Sequence, residues 1–256
     1  MKAIFDTHVH YDDDAFDADR EEVIRSLPEC GVAKAVDVGA SIASSKKALE
    51  LAKHYEHIYC ALGVHPEEVY SADAAGWQWL EEHLAEEKCV ALGEIGLDYH
   101  WKEVAPEDQK EAFIRQLRMA QEADLPVIIH SREAARDTAD ILKEYHNGDG
   151  VIHCFSYTKE MAMEFVDMGY YIGIGGVLTY KNAKKLVEAA QVIPLERIVL
   201  ETDGPYLSPE PKRGTRNVSS NIAYVIAKLS QLRGIPEEEI REAVWENAHR
   251  LYRLKE

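Results

Sequence analysis

The chain is poor in the features that would send it to a membrane, out of the cell or onto a DNA groove. No run of its sequence approaches the ~20 consecutive apolar residues of a membrane-spanning helix. Its first residues, MKAIFDTHVH, enter a strand-like segment at once, without the apolar region and small-residue cleavage site of a secretory signal. The four cysteines, Cys30, Cys60, Cys89 and Cys154, are irregularly spaced and form no C-x-x-C. Reduced thiols are the simplest account of them, and together these absences predict a cytoplasmic protein with no membrane partner. Positive charge is also scarce. Against 46 acidic residues stand 29 basic ones, a net charge of −17. That argues against non-specific binding to long nucleic acid through a basic face. It leaves room for a nucleic-acid substrate held at a local site, because bound divalent cations would invert the local field. No Gly-Ser linker, charge block or low-complexity tract divides the chain, so residues 1–256 are expected to form one domain.

What the sequence does contain is a repeating unit. At 256 residues with 46% apolar content, the length suits a single α/β barrel, which typically needs about 250. Eight short apolar runs read as strands: KAIFDTH from 2, AKAVDVG from 33, IYCALGVH from 58, CVALGEIG from 89, PVIIH from 126, GVIHCF from 150, YYIGIG from 170 and RIVLETD from 197. Segments of helical period lie between them, among them EEVIRSL, KKALELAKHY, FIRQLRMAQEA and AKKLVEAAQV, and IAYVIAKLSQL and EEIREAVWENAHRLYRL close the chain. Nearly continuous apolar strands alternating with helices mean a parallel sheet covered on both faces. Eight such units in this length predict an α/β fold, a closed (β/α)8 TIM barrel.

Active sites of such barrels lie at the C-terminal ends of the strands. Those ends carry His8 and His10, then His65 in GVHP, Glu94 in GEIGLD, His130, His153 and Asp203 in LETDGP. The H-x-H pair alone is as well read as the polar end of a surface strand. On a strand, however, His8 and His10 share a face, with Asp6 below them to orient one ring. His130 and His153 could each be a satisfied core histidine, and Asp203 could cap the turn DGPY. Four of these histidines (His8, His10, His130, His153) and the two carboxylates at one rim need a common reason. Two carboxylates ~4 Å apart repel by about 4 kcal/mol at an effective dielectric near 20, and Glu201, on the strand face of Asp203, would add to it. Cations remove the repulsion. Six ligands exceed one tetrahedral zinc but suit two ions bridged by a carboxylate, with Glu94 the natural bridge. The other six histidines (His54, His57, His83, His100, His146, His249) fall in helical or loop segments and are expected to be solvated or capping.

The motifs DTHVH, GVHPEE, GEIGLDYH, LPVIIHSREA, HCF, LETDGPYL, RGTRN and WENAHRLY occur in an order that resembles the TatD-type metal-dependent deoxyribonucleases, amidohydrolase-like barrels, across essentially the whole chain. The resemblance implies hydrolysis of DNA phosphodiester bonds with divalent metal. Carried onto this sequence, it makes His8, His10, Glu94 and Asp203 ligands of one ion, and Glu94, His130 and His153 ligands of the other. Three positions depart from the usual pattern: Glu67 after GVHP, Tyr157 after HCFS, and Val218 in Arg216-Asn217-Val218-Ser219. Lying on loops expected to contact substrate, they bear on specificity. No lysine at a strand end offers a carboxylated bridge, which argues against the dihydroorotase-like and phosphotriesterase-like branch. The chemistry expected is two-ion hydrolysis (Zn, Mn or Mg), with Asp203 as ligand and proton acceptor. His65 is either a donor to a phosphate oxygen or a packed loop histidine before Pro66. Arg132, Lys212, Arg213 and Arg216 are candidate phosphate contacts, each equally readable as surface charge. Single-stranded DNA ends are the expected substrate of an exonuclease acting as a monomer. The rivals are a metal-dependent hydrolase of small esters, amides or lactones, and a metal-dependent binding protein without turnover.

Overall fold

The computed structural model describes residues 2–146 and 148–255. Eight strands form one sheet in sequence order, every neighbouring pair parallel. They are β1 (Ile4–Val9), β2 (Val32–Val38), β3 (Ile58–Leu62), β4 (Cys89–Asp98), β5 (Val127–Arg132), β6 (Gly150–Ile152), β7 (Tyr171–Ile174) and β8 (Ile198–Leu200). The first and last strands meet at their C-terminal ends. His8 O accepts from Asp203 N at 2.9 Å, His10 N donates to Gly204 O at 2.7 Å, and the Thr7 hydroxyl donates to Leu200 O at 3.0 Å. These bonds bring the ring to closure, and the expected (β/α)8 TIM barrel is the fold observed.

The helices between the strands are α1 (Arg20–Ser26), α2 (Ile42–His54), α3 (Ala74–His83), α4 (Pro106–Glu122), α5 (Ala135–Tyr145), α6 (Lys159–Asp167) and α7 (Lys184–Val192), followed by α8 (Ile222–Arg233) and α9 (Glu237–Leu251). Their starts follow ordinary capping chemistry. Ser41 and Ser44 form a reciprocal cap on α2, Asp73 caps α3 through Gly76 N, and α4 opens on Pro106 with Glu107 and Asp108 behind it. Two apolar layers result. The larger lies between strands and helices. The smaller joins Phe5, Val36, Val90, Ile128, Val151 and Val199 of the strands to Ala248, Leu251 and Tyr252. In that inner layer the end of α9 plugs the barrel opposite the strands' C-terminal rim. It is fixed by the Tyr252 hydroxyl on Thr7 O at 2.7 Å and by Asn247 Nδ2 on Ile198 O at 2.7 Å. With that end closed, the open mouth is at the C-terminal rim. No helix among the described residues is long and apolar enough to cross a membrane.

Of the strand boundaries that differ from expectation, three bear on Glu94, His153 and Asp203. β4 runs on to Asp98, so Glu94 stands within it rather than at its end. β6 stops at Ile152 and β8 at Leu200, leaving His153 and Asp203 on the turns beyond. The turn residues Cys154 and Asp203 have φ of 44° and 57°, values a pleated strand does not accommodate.

The approach of β4 to β5 is tight at Gly96, where φ is 145° and an added Cβ would lie 2.0 Å from the His130 carbonyl oxygen. Gly96→Ala is expected to destabilise by at least about 2 kcal/mol, a fall in Tm of roughly 4 °C or more. Gly31, with φ of 79° and nothing within 4 Å of an added Cβ, is the control. Thermal unfolding in which Gly31→Asn loses as much as Gly96→Ala would contradict a steric origin.

Candidate metal centre

The strands bring the expected residues to one point. His8 lies on β1, where the ladder to β2 shifts register between Asp6 and Val9, the kind of irregularity that re-aims side chains beside a site. His10 follows the strand end, Glu94 rises from the middle of β4, His130 from β5, and His153 and Asp203 from the turns after β6 and β8. His8 Nε2 lies 3.1 Å from His10 Nε2, 3.7 Å from Glu94 Oε2 and 3.7 Å from Asp203 Oδ1, and His10 Nε2 is 3.3 Å from that same Oδ1. The other Glu94 oxygen, Oε1, is 2.8 Å from His130 Nδ1 and 3.6 Å from His153 Nε2. His8, His10 and Glu94 offer ligand atoms within 4.8 Å of one another, and so do Glu94, His130 and His153. A tetrahedral ion with bonds of about 2.1 Å requires donors about 3.4 Å apart. The donor set fits a metal in both spacing and chemistry.

The rear nitrogens of three rings have a partner, hydrogen-bonded for His10 and His130 and an ion-pair contact for His153. His10 Nδ1 lies 2.7 Å from Val38 O, His130 Nε2 2.9 Å from Asp98 Oδ2, and His153 Nδ1 3.1 Å from Glu201 Oε2. Such partners fix the ring and its tautomer so that the front nitrogen presents a lone pair. His8 Nδ1 is buried without a hydrogen-bond partner. Two expectations are corrected here. Asp6 orients no imidazole: its carboxylate accepts from His8 N at 3.2 Å, Thr202 N at 3.0 Å and the Thr202 hydroxyl at 2.6 Å, tying β1 to the end of β8. Glu201 does not crowd Asp203. Because β8 has ended and Asp203 turns left-handed, Glu201 points back to His153 and to Cys154 N, 2.6 Å away. Asp98 was missed, although alternation along β4 puts residues 94, 96 and 98 on one face.

The protonation of these groups follows from their neighbours. Burial works against a charged His10, yet the Asp203 carboxylate outweighs it and lifts the ring to about 10. His130 and His153 are likewise lifted against burial to about 9, His130 by Asp98 and Glu94, His153 by Glu201 and Glu94. Burial would raise Glu94, but His153 and His130 hold it well below the usual carboxylate range. Burial, reinforced by His153, keeps His8 neutral. His65 stands beside His130 with ring centroids 4.4 Å apart, and burial, then His130, lowers it to about 3. Its Nδ1 accepts from Glu67 N at 3.3 Å, which leaves the ring proton on Nε2.

The remaining expectations divide. Arg216 is no free phosphate contact, since its guanidinium makes two 2.6 Å bonds to Asp19 over the Phe16 ring. Arg213 lies over Tyr180, Arg132 near Trp101, and Lys212 is exposed. Tyr157 and Val218 are partly buried against the core, and the Tyr157 hydroxyl accepts from Ala134 N at the start of α5. Glu67 does reach the site, with Oε2 3.7 Å from His65 Nδ1. Of the six histidines expected to be solvated or capping, His83 and His57 bond to backbone carbonyls and His100 to Glu133. His249 departs from the expectation: it is buried beside Phe5 on the barrel plug, with Nε2 2.8 Å from Lys34 Nζ. All four cysteines are free thiols.

The family model described as TatD related DNase matches residues 5–253. The chain belongs to the TatD family. Among TatD relatives, the chain is 41% identical over 253 residues to "Uncharacterized metal-dependent hydrolase YabD" of Bacillus subtilis, covering 98% of this chain and 99% of that one. It is 34% identical over 238 residues to "3'-5' ssDNA/RNA exonuclease TatD" of Escherichia fergusonii, covering 90% and 92%. The crystal structure of YjjV, a TatD homologue from Escherichia coli, superposes with a TM-score of 0.93 at 34% identity over 98% of both chains. The protein is thus a TatD-family metal-dependent hydrolase.

Two outcomes are expected for this centre. Asp98→Asn should weaken divalent-metal binding about 10- to 100-fold by freeing the His130 ring while circular dichroism stays unchanged; unaltered affinity by calorimetry would remove Asp98 from that task. Metal binding should also release protons. His10, His130 and His153 lie above the ordinary 6.5 and carry protons at pH 7, whereas a ligating nitrogen must be bare, so roughly three protons should leave and affinity should climb as pH rises toward 9. Binding heats identical in buffers of different ionisation enthalpy would count against it.

Proposed function

We propose that the chain is a two-metal nuclease that removes nucleotides from the ends of single-stranded DNA, acting in the cytoplasm as a monomer. The observation that carries this reading is the division of Glu94, whose Oε2 faces His8 while its Oε1 faces His130 and His153. That geometry supports His8, His10, Glu94 and Asp203 as the residues that would hold one ion, and Glu94, His130 and His153 as those that would hold a second. The imidazole-rich set favours Zn or Mn over Mg for tight occupancy. When bound, such ions polarise a phosphoryl oxygen and bring a water molecule's ionisation near neutral pH. The name of the Escherichia fergusonii relative, a 3′-5′ ssDNA/RNA exonuclease, supports a single-stranded nucleic acid as the polymer and a 3′ to 5′ direction.

Around that centre the protein's own groups have distinct tasks. Asp203 has the most exposed side chain of the two central carboxylates, 18% against 6% for Glu94. It faces the mouth, where it can accept the proton of an attacking water. Glu94, buried beneath it, keeps both halves of the cage in register. His65 is neutral and carries its proton on Nε2, which suits donation to a phosphate oxygen. Arg132 follows His130 on the same face of β5, placing a guanidinium at the rim where a phosphate would pass.

The test is hydrolysis of end-labelled single- and double-stranded DNA across a series of divalent metals, beside carboxyl-ester substrates and with elemental analysis. Expected are two ions per chain, release of mononucleotides from single strands, and loss of at least about 10²-fold in turnover for Asp203→Asn, with the fold retained. Hydrolysis of carboxyl esters but of no phosphodiester would favour the small-ester reading. One saturable ion, or an Asp203→Asn variant near wild-type rate, would remove the bridged pair or the proton acceptor respectively.

A further inference from the structure

Five large apolar side chains are exposed among the described residues, and two of them are rings that follow β8 and β4, the strands leading to Asp203 and carrying Glu94. Tyr206, 53% exposed, lies on the turn after β8 with its ring 6.4 Å from that of His10. It is held at both ends. Its backbone N donates to Asp203 O at 2.8 Å and its hydroxyl to Asp13 Oδ2 at 2.8 Å, so the exposed face is fixed. Trp101, 45% exposed, stands three residues beyond β4. Its backbone N donates at 3.3 Å to Asp98 Oδ1, and the other oxygen of that carboxylate holds His130. The Arg132 guanidinium lies 5.8 Å from the Trp101 ring and makes no ion pair among the described residues. One ring is therefore tied to the His8–His10 half of the cage and the other to the His130 half. Nothing in the packing of the core requires either to face water.

We propose that Tyr206 and Trp101 are stacking platforms for the two bases on either side of the scissile phosphate, with Tyr206 taking the terminal nucleoside. The proposal rests on the nuclease reading above and adds the residues that recognise a single strand. Aromatic faces hold bases of any sequence, whereas a paired base has its faces already covered by neighbours in the duplex. The order of the two platforms follows from charge. Asp13, hydrogen-bonded to Tyr206, places a carboxylate beside that ring and repels a continuing phosphate backbone. Arg132 beside Trp101 attracts one. The strand therefore enters over Arg132 and Trp101 and ends at Tyr206.

The experiment crosses protein variants with single-stranded oligonucleotides lacking either the terminal or the penultimate base, using the metal-loaded enzyme. In the wild type each missing base should raise KM about tenfold, with kcat changed much less. Tyr206→Leu should raise KM by a similar factor and abolish the further effect of removing the terminal base only. Trp101→Leu should do the same for the penultimate base only, and Tyr206→Phe and Trp101→Phe should restore wild-type behaviour by returning a ring. Base removals that raise KM equally in the wild type and both leucine variants would overturn the stacking roles while leaving the nuclease reading intact. A wild-type enzyme that degrades no oligonucleotide with any metal would overturn both.

Discussion

One carboxylate, Glu94, is buried at the centre of four imidazoles, and the rest of the site is arranged around that fact. An ionised carboxylate in a barrel interior is strongly disfavoured unless positive charge or hydrogen-bond donors surround it. Here each oxygen has its own imidazoles, His8 on one side and His130 with His153 on the other. Glu94 rises from mid-strand on β4, where the ladder to β5 shifts register between Leu92 and Ile95, and its backbone N donates to Gly39 O at 3.0 Å just beyond β2. The two ligand groups are thus referenced to one residue. The partners behind the rings, Val38 O, Asp98 and Glu201, come from different elements, so the cage is braced from several directions at once.

That bracing explains features that look unrelated along the chain. Gly96 lacks a side chain because β5 passes against it where His130 is carried. Gly173 lacks one because a Cβ there would sit 2.4 Å from Glu201 Oε2. Asn217, fully buried, donates to Thr202 O at 2.8 Å and accepts from Val218 N at 3.0 Å, while Arg216 clamps the same loop to Asp19. These residues after β8 stand in a stretch that reads from sequence as substrate-binding loop. In the fold they hold the turn on which Asp203 and Tyr206 are displayed.

The barrel was legible because its strands are buried on both faces and its helices on one, which writes two distinct periods into the sequence. The cluster of candidate ligands was legible because barrel geometry restricts chemistry to one rim and so discards six of the eleven histidines. What escaped was set by backbone departures that periodicity does not encode. Alternation was carried too far on β8, where the strand ends at Leu200 and Asp203 adopts φ of 57°, so Glu201 was assigned to the wrong side. On β4 it was not carried far enough. Asp98, two strand periods beyond Glu94, belonged on the same face by the rule already in use. Asp6 was misread for a third reason: a buried carboxylate beside a histidine can serve backbone amides instead of the ring.

An acidic protein with an anionic polymer as proposed substrate poses a last physical question, which the positions of its basic residues help to resolve. The net charge is −17, yet at about 0.1 M salt the Debye length is ~10 Å, so most of that charge is screened from the barrel mouth. Within that distance the balance is set by the ions the cage would hold and by few side chains. Arg216 is neutralised by Asp19, which leaves Arg132, Lys212 and Arg213 as the rim's basic groups from the candidate set. So small a positive region cannot hold a duplex along its length as a basic groove does. It suffices for the one or two phosphates nearest a strand end, and the remaining negative surface disfavours any longer contact. The same charge distribution that excludes a groove binder is the one an end-directed enzyme requires.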